Sequence, residues 1–511
     1  MPVPTAMSAQ TSHPNIVIIC SDQHRADTIG SYGSTICRTP ALDRLAGQGV
    51  QFDRCLANNP VCSPSRATIL TGCQSARHGL VRNGYALPHR LPTVAETLQA
   101  HGYRTHAVGK LHITPHNQGI AEAPFYGFEA VENSEDPKIG PYLDWAIEHY
   151  PDYAGYLIGT LFNLPTDDAY WRGKRDLRQE VARCREQFVK PHEISATCNW
   201  GYGHFSPLPE EAHQTTWITN RAIAAVEAHA GERPLMLWVG YQDPHNPFDP
   251  PARFRAPYAP DAMPSPIGRD VDDTPLPPHL RAFRRSLSGF TDHDWRTLKA
   301  LYYGSVSFMD AAIGRLLQTV ERRLDMRHTI VVYLADHGEI LGDHGICGKW
   351  AYHYDACTRV PMIWRQDGRW AGGARRSAII ELGDFAPTLL DAAGIGAGPA
   401  MDGASYLPLL AGESLPGWRD HAYVESYNGA PTDPTPPPLC WPRTIRTDRY
   451  RCTFYADPAV GELYDLQEDP GECRNRYADP ACRAIVDEHR QRLVSRLILR
   501  DYPLPERPFD V

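Results

Sequence analysis

Three short apolar runs constrain the fold of this 511-residue chain more than any other feature of its sequence. They occupy residues 15–20, 235–241 and 329–335, and each is almost wholly apolar. Runs of this length and character are typical of strands that are buried on both faces. Helical patterns at 217–230 and 295–323 precede the second and third runs. The alternation predicts an α/β fold, with a large, mostly parallel central sheet flanked by helices.

Ionisable side chains follow each of these runs, and they also follow a shorter predicted strand at 104–109. In parallel sheets the carboxyl ends of the strands meet at one edge, and ligands bind there. We therefore expect residues that are distant in sequence to converge at that edge. The groups that follow the four predicted strands are Asp22-Gln23, Lys110 and His112, His245, and Asp336-His337.

The pattern divides the chain into a large and a small predicted domain. Residues 1–394 carry the strand–helix alternation and all the groups named above. Insertions near 115–210 and 246–290 are rich in Pro, Tyr, Trp and Gly, and we interpret them as excursions that wall or cover the site. Residues 395–511 contain short strand patterns followed by an amphipathic helical pattern, which predicts a smaller C-terminal α+β domain.

Charge and composition argue against several kinds of partner. The formal net charge is −9 with both signs interspersed, so no basic surface for nucleic acid is indicated. No apolar segment reaches the length of a membrane span, and the first residues do not form a leader pattern. The 13 Cys residues are scattered without a CxxC pair. We expect a soluble, cytoplasmic protein that binds neither nucleic acid nor membrane.

A proline-rich stretch at 431–442 predicts a loop or an arm. An arm of this kind can contact a partner subunit. We therefore expect a homo-oligomer.

The segment Cys62-Ser63-Pro64-Ser65-Arg66 indicates a reactive position at the start of a helix. Proline suits the first helical turn because its missing N–H costs nothing there. A helix N-terminus favours a thiolate or a bound oxyanion, and Arg66 lies one turn along, where it can brace the Cys62 side chain. The alternative interpretation is a buried structural cysteine. The chemistry of a helix start alone does not favour either interpretation over the other.

Asp22 and Asp336-His337 follow separate predicted strands, which is a natural way to assemble a metal site. Carboxylates with an amide or an imidazole suit Ca²⁺, Mn²⁺ or Mg²⁺ better than zinc, and the imidazole favours Mn²⁺ somewhat. A single Asp would be interpreted as a helix cap or a surface charge. Three such groups at strand ends favour one divalent metal ion.

The Cys62-x-Pro64-Ser65-Arg66 segment also resembles the signature of the type I sulfatases, a family of the alkaline phosphatase superfamily. In that family a maturation enzyme oxidises the cysteine to formylglycine. Further motifs match in the family's order, and the resemblance is to its arylsulfatase, choline sulfatase and phosphonate monoester hydrolase branch. These motifs are Asp22-Gln23, Gly109-Lys110-Leu111-His112, Pro244-His245, Asp336-His337, Gly348-Lys349 and Glu462-Leu-Tyr464-Asp465.

The resemblance implies a role for each matching residue in a catalytic domain at 1–394. Gln23 replaces the second Asp of many sulfatases, and Asn83 resembles a substrate-contacting Asn, although a turn residue before Gly84 is an equal alternative. Arg66 and Lys110 would orient the formylglycine hydrate, with Lys110 also contacting substrate. The metal ligands would be Asp22, Gln23, Asp336, His337 and an oxygen on residue 62, which is Cys62 in the sequence. His112 would act as the base, while His245 and Lys349 would bind the sulfate oxygens and assist the departing alcohol.

The implied activity is hydrolysis of aryl or alkyl sulfate monoesters through a covalent sulfate ester on residue 62. The implied partners are a small sulfate ester and the maturation enzyme. A phosphonate monoester hydrolase or phosphodiesterase is the alternative within the superfamily, although such enzymes tend to lack the Lys and His of the Gly-Lys-x-His motif. Two other classes remain open: a binding protein that keeps the Cys62 thiol, and a phosphatase-like enzyme with Ser63 or Ser65 as nucleophile.

Overall fold

A computed structural model describes residues 13–115, 125–162, 177–190, 201–272, 276–398, 401–427 and 441–500 of the chain. Within these residues the strands form one large sheet and one small sheet. The strands of the large sheet are β1 Asn15–Ser21, β2 Val50–Leu56, β3 Arg104–Gly109, β4 Ala130–Asn133, β5 Leu235–Gly240, β6 Thr329–Ala335, β7 Arg359–Arg365 and β8 Ala374–Glu381. Those of the small sheet are β9 His421–Glu425, β10 Arg443–Thr447, β11 Tyr450–Phe454 and β12 Gly461–Asp465.

Helices connect and cover these strands. In the described part of the chain they are α1 Pro40–Gln48, α2 Cys62–Thr71, α3 Ser75–His78, α4 Val94–Ala100, α5 Pro141–His149, α6 Ala154–Gly159, α7 Arg178–Phe188, α8 Gln214–Glu227, α9 Ala252–Arg255, α10 Pro278–Ser286, α11 Asp292–Arg323, α12 Asp355–Thr358, α13 Phe385–Ala392, α14 Leu407–Ala411 and α15 Arg483–Arg500. None of these helices is both long enough and apolar enough to span a membrane.

The large sheet has the strand order β4-β3-β5-β1-β6-β7-β2-β8. Only β7 runs against its neighbours, β6 and β2, so this eight-stranded sheet of the described chain is mostly parallel. The three apolar runs form β5, β1 and β6 side by side at its centre, with Ile18 paired to Trp238 on one side and to Val332 on the other. The predicted fold class is confirmed.

Helices cover both faces of this sheet because successive residues of a strand point in opposite directions. In β1, Ile16 and Ile18 pack into the core that is shared with α2, α4 and α13. Val17 and Ile19 pack into the opposite core, which is shared with α1, α8 and α11. Burial on both faces accounts for the continuous apolar runs of the central strands.

Strands β2, β4, β7 and β8 are not evident from the sequence. In β7, Pro361 argues against a central strand because proline cannot donate a ladder hydrogen bond. The structure accommodates it because the β6 ladder ends at Met362 and the β2 register shifts between Phe52 and Cys55, opposite Pro361. Because of this bulge and the end of the ladder, Pro361 is not at a position where a neighbouring strand requires its N–H as a donor.

The small sheet is antiparallel in the order β12-β11-β10-β9, and α15 packs against it through Val486 and Leu493. This confirms a smaller C-terminal α+β unit, while the boundary at 394 remains a prediction. An ion pair joins Arg496 of α15 to Glu381 at the end of β8. Parts of the predicted insertion at 115–210, and nearly all of the proline-rich stretch at 431–442, lie outside the described residues.

Candidate active site

The groups expected at one edge of the sheet do converge there. Asp22 and Asp336 directly follow β1 and β6, and Lys110 directly follows β3. Cys62 is the first residue of α2, as the position of Pro64 predicts, and all its side-chain surface is buried. Parallel strands that end together bring these residues into one place although Asp22 and Asp336 are far apart in the sequence.

Ligand atoms of Asp22, Cys62, Asp336 and His337 all lie within 4.8 Å of one another, and all four residues are buried. His337 Nε2 is 3.6 Å from Asp22 Oδ1, 3.7 Å from Asp336 Oδ1 and 3.2 Å from Cys62 Sγ. Ligands about 2.3 Å from a common ion stand about 3.3 Å apart at right angles. The four atoms therefore have the spacing of a coordination shell.

Arg66 holds the outward sides of both carboxylates. Its Nε donates to Asp336 Oδ2 at 2.8 Å, and its Nη2 donates to Asp22 Oδ2 at 3.2 Å. The Oδ1 atoms of both carboxylates lie on the side of His337 and Cys62. A planar guanidinium suits this two-carboxylate arrangement because its N–H groups form a rigid fork. Sequence reasoning placed Arg66 beside residue 62, and the structure shows its hydrogen bonds on the carboxylates that flank that residue.

His337 presents a lone pair to the cluster. Its Nδ1 lies 2.8 Å from the Gly338 carbonyl oxygen, which assigns the proton to Nδ1 and leaves Nε2 free to ligate. Burial lowers the pKa of His337, which favours the neutral imidazole that a metal requires. Burial opposes ionisation of Asp22, but Lys110, His245 and Lys349 outweigh that effect and hold its pKa well below the usual range.

Lys349 reaches the same point from the loop that follows β6. Its Nζ donates to Cys62 Sγ at 2.7 Å, to His245 Nε2 at 2.8 Å and to Gln23 Oε1 at 2.9 Å. Burial opposes the charge, but the nearby Cys62 and Asp22 raise the pKa of Lys349. A fixed cation thus lies directly beside residue 62.

Lys110 is shared by two carboxylates. Its Nζ lies 2.6 Å from Asp22 Oδ2 and also donates to Asp136 Oδ1. Burial opposes the charge of Lys110, but Asp136 and Asp22 raise its pKa. Asp136 was not among the residues predicted from the sequence. It follows β4, so the rule that polar groups follow parallel strands would have found it had that strand been recognised.

His112 and its neighbours form the next layer of the site. Ligand atoms of His112, Glu135 and Asp136 lie within 4.8 Å of one another. Glu135 Oε1 accepts hydrogen bonds from the backbone N–H groups of Leu111 at 3.1 Å and of His112 at 2.9 Å. These bonds fix His112, whose φ of 51° is in the left-handed region.

The serines of the signature segment have other surroundings. Ser65 Oγ donates to the Asp336 carbonyl oxygen at 2.6 Å, and the backbone N–H of Ser63 donates to Asn83 Oδ1 at 3.1 Å. Asn83 thereby satisfies one of the free N–H groups at the start of α2. Of the three candidate nucleophiles in the segment, Cys62 is the one whose side-chain atom clusters with the carboxylates of Asp22 and Asp336, which disfavours either serine.

A cavity of about 450 Å³ opens beside the cluster. Its polar lining residues are Gln23, Asn83, Asp136, His245, Asn246, Glu339 and Lys349. It is also lined by the aromatic residues Phe162, Tyr202, Phe248, Phe283, Trp295 and Trp350. A cavity that combines charged groups with aromatic side chains can hold a small molecule that has both a charged and an apolar part.

Comparison with known proteins agrees with this geometry. A family model described as Sulfatase matches residues 14–395, which is more than half of the chain. The chain belongs to the sulfatase family. A second model, described as N-sulphoglucosamine sulphohydrolase, C-terminal, matches residues 342–498 of this sulfatase.

The sulfatase is similar to known relatives over almost its whole length. An arylsulfatase of Clostridium perfringens is 26% identical, over 95% of this chain and 94% of the relative. An N-acetylglucosamine-6-O-sulfatase of Bacteroides thetaiotaomicron is 29% identical, over 91% of this chain and 83% of the relative. The solved phosphonate monoester hydrolase of Silicibacter pomeroyi has a TM-score of 0.78 and 27% identity, with 96% of each chain covered. The resemblance inferred from the motifs is confirmed, and the chain is an enzyme of the sulfuric ester hydrolase class.

Proposed function

We propose that this sulfatase hydrolyses sulfate monoesters with residue 62, oxidised from Cys62 to formylglycine, as its nucleophile. The observation that carries the proposal is the meeting of two carboxylates, one imidazole and one ammonium around Cys62 Sγ. A sulfate ester is a stable anion, so its hydrolysis needs both positive charge on the sulfuryl oxygens and an activated nucleophile. The site has the groups for both tasks.

The donor set fits one divalent metal ion. Asp22, Asp336, His337, the Gln23 amide and residue 62 would hold it, and oxygen donors with one imidazole suit Ca²⁺, Mn²⁺ or Mg²⁺. When bound, the ion polarises a sulfuryl oxygen and favours the ionised form of the residue 62 hydroxyl. The thiol of unmodified Cys62 is a softer donor than these ions prefer, which supports an oxygen at this position in the mature enzyme.

The remaining residues bind substrate and move protons. Lys349 lies beside residue 62 and His245 lies beside Lys349, where both would contact the sulfate oxygens and assist the departing alcohol. Lys110 and Arg66 keep Asp22 ionised and correctly placed. His112 would take the proton of the second hydroxyl, since histidine titrates near neutral pH.

A formylglycine hydrate explains why an ordinary serine is not enough. One of its two hydroxyls attacks sulfur, and the alcohol departs. Loss of the proton from the other hydroxyl then restores the aldehyde and releases sulfate by cleavage of the carbon–oxygen bond. The proposal requires a maturation enzyme that oxidises Cys62. Intact-mass analysis of the peptide that spans residue 62 tests it: a peptide with the mass of an unmodified thiol in fully active enzyme would contradict it.

Removal of divalent metal is expected to abolish activity and to lower Tm. A ligand at a hundredfold excess over its Kd stabilises the folded state by about 2.7 kcal/mol. Activity and Tm should be measured after treatment with a chelator and again after Ca²⁺, Mn²⁺ or Mg²⁺ is restored. Full activity in enzyme that has been stripped with a chelator, and in which no divalent metal is then detected, would exclude a role of the metal in catalysis.

Phosphonate monoester hydrolysis is the second candidate, because a solved hydrolase of that kind shares the fold at 27% identity. The buried Lys110 and His112 favour the sulfatase, because enzymes that prefer phosphonates tend to lack this pair. We expect kcat/KM for an aryl or alkyl sulfate to exceed that for the matched phosphonate monoester by at least tenfold. Both substrates should be assayed in parallel on one preparation of known metal content. A higher kcat/KM for the phosphonate than for the sulfate would make phosphonate hydrolysis the preferred activity.

A further inference from the structure

The amide of Gln23 can face the metal site in two ways, but only one of them can ligate. Its oxygen can coordinate a cation, whereas its NH₂ group cannot. The structure directs Oε1 toward Lys349 Nζ, which donates to it at 2.9 Å beside Cys62. The Gln23 backbone is fixed independently, because its N–H donates to Asp336 Oδ1 at 3.1 Å and its carbonyl accepts from Tyr302 Oη at 2.7 Å.

The opposite end of the amide is held by two acceptors. Gln23 Nε2 donates to Glu339 Oε2, and it also donates to Asn246 Oδ1 at 3.2 Å. The orientation of Asn246 is set in turn, because its Nδ2 donates to the Gly201 carbonyl oxygen at 2.7 Å. Rotating the Gln23 amide by half a turn would direct its oxygen at both acceptors and its NH₂ at the ammonium of Lys349.

The Glu339 carboxylate is held in place to accept the hydrogen bond from Gln23. It is buried, and its Oε1 accepts the backbone N–H groups of Leu341 at 2.8 Å and of Gly348 at 2.5 Å. That anchoring leaves Oε2 for Gln23. Glu339 is not among the residues whose ligand atoms cluster around Cys62 Sγ.

We propose that Glu339 is a positioning residue that orients the Gln23 amide so that its oxygen faces the metal. The inference rests on the proposed function, because it assumes that a divalent ion occupies the cluster. It also accounts for an amide at position 23, where many sulfatases have a carboxylate: a carboxylate there would lie against that of Glu339, and like charges at this distance repel.

The test exchanges the two side chains in a double-mutant cycle. It compares wild type with Glu339→Gln, Gln23→Glu and the double variant, each stripped with a chelator and each with residue 62 oxidised, as verified by mass analysis. Titration calorimetry with Mn²⁺ and, separately, with Ca²⁺ gives Kd without any need for activity. Glutamine at position 339 keeps a carbonyl for the two backbone N–H groups but turns its NH₂ toward residue 23.

In the wild-type background we expect Glu339→Gln to weaken metal binding by 10- to 100-fold, because the Gln23 amide must rotate to meet the new donor. In the Gln23→Glu background the same substitution should tighten binding at least tenfold, since it replaces a repelling carboxylate with a matching amide. A general charge effect predicts weaker binding in both backgrounds. A loss of metal affinity of similar size in both backgrounds, or no change of affinity in either background, would overturn the proposal.

Two further comparisons keep the result interpretable. The control variant Asp343→Asn also replaces a buried carboxylate of the same loop with an amide. Asp343 forms an ion pair with Arg25 at 2.7 Å. This substitution should change the Kd for metal by less than threefold. A loss equal to that of Glu339→Gln would assign the effect to the loop and overturn the inference. If the single Glu339→Gln variant does not fold, Gln23→Glu and the double variant still test the predicted gain. Failure of wild type to bind metal would overturn the proposed function as well, whereas metal binding without coupling overturns this inference alone.

Discussion

Replacing Cys62 with alanine is expected to lower kcat by about 10⁴-fold or more, because the methyl group of alanine has no sulfur to be oxidised and so cannot become the aldehyde that carries the nucleophilic oxygen. The fold should persist. Alanine is compatible with the first turn of α2, and the hydrogen bonds of Arg66 to Asp22 and Asp336 do not involve the Cys62 side chain. Steady-state rates on a chromogenic sulfate ester, with Tm measured in parallel, check both parts.

The matched control for this substitution is Cys73→Ala. Cys73 is buried just beyond the other end of α2, and its Sγ contacts the Thr71 carbonyl oxygen instead of the cluster. Its loss should leave kcat unchanged within about threefold. A rate near wild type in Cys62→Ala, or an equal loss in the two variants, would remove the proposed nucleophile.

Replacing His112 with alanine is expected to separate the two halves of the reaction. The first transfer of the sulfo group to residue 62 should proceed, but collapse of the resulting ester lacks its base, and steady-state turnover should fall by about 10²- to 10⁴-fold. A rapid-mixing experiment should then show a burst of alcohol close to one equivalent per modified enzyme. Mass spectrometry of the quenched enzyme should find one added sulfo group on the peptide that contains residue 62.

His106→Ala provides the comparison. His106 lies within β3 and is largely buried, but it faces Glu132, at 3.3 Å, on the neighbouring strand. We expect that variant to turn over normally and to accumulate no ester. Slow turnover of His112→Ala without a trapped ester would show that His112 acts before the ester forms.

The central fold could be predicted because its signals are local. Strands buried on both faces must be continuously apolar, so β1, β5 and β6 are evident as runs, and the parallel arrangement dictates which of their ends meet. Strand β8 has no such signal. Its first half, from Ala374 to Ser377, is polar and partly exposed at the edge of the sheet.

The candidate site was predicted less completely, because motif spacing identifies residues but not their hydrogen bonds. Asp22, Cys62, Asp336 and His337 were identified and do cluster. Asp136 was missed because β4 has only four residues and is half-buried, with little pattern of its own. The orientation of the Gln23 amide depends on Glu339, Asn246 and Lys349, which separate segments of the chain deliver, and no sequence pattern contains that information.

The complete burial of Cys62 constrains when its oxidation can take place. A modifying enzyme needs several residues on each side of its target in an extended, reachable form, but in the folded chain this segment is the first turn of a helix whose residues are all buried. The proposed oxidation must therefore be completed while the polypeptide is still unfolded. A molecule that folds before Cys62 is oxidised would keep its thiol. A preparation made without enough maturation enzyme would therefore contain a permanent fraction of enzyme that is correctly folded but inactive.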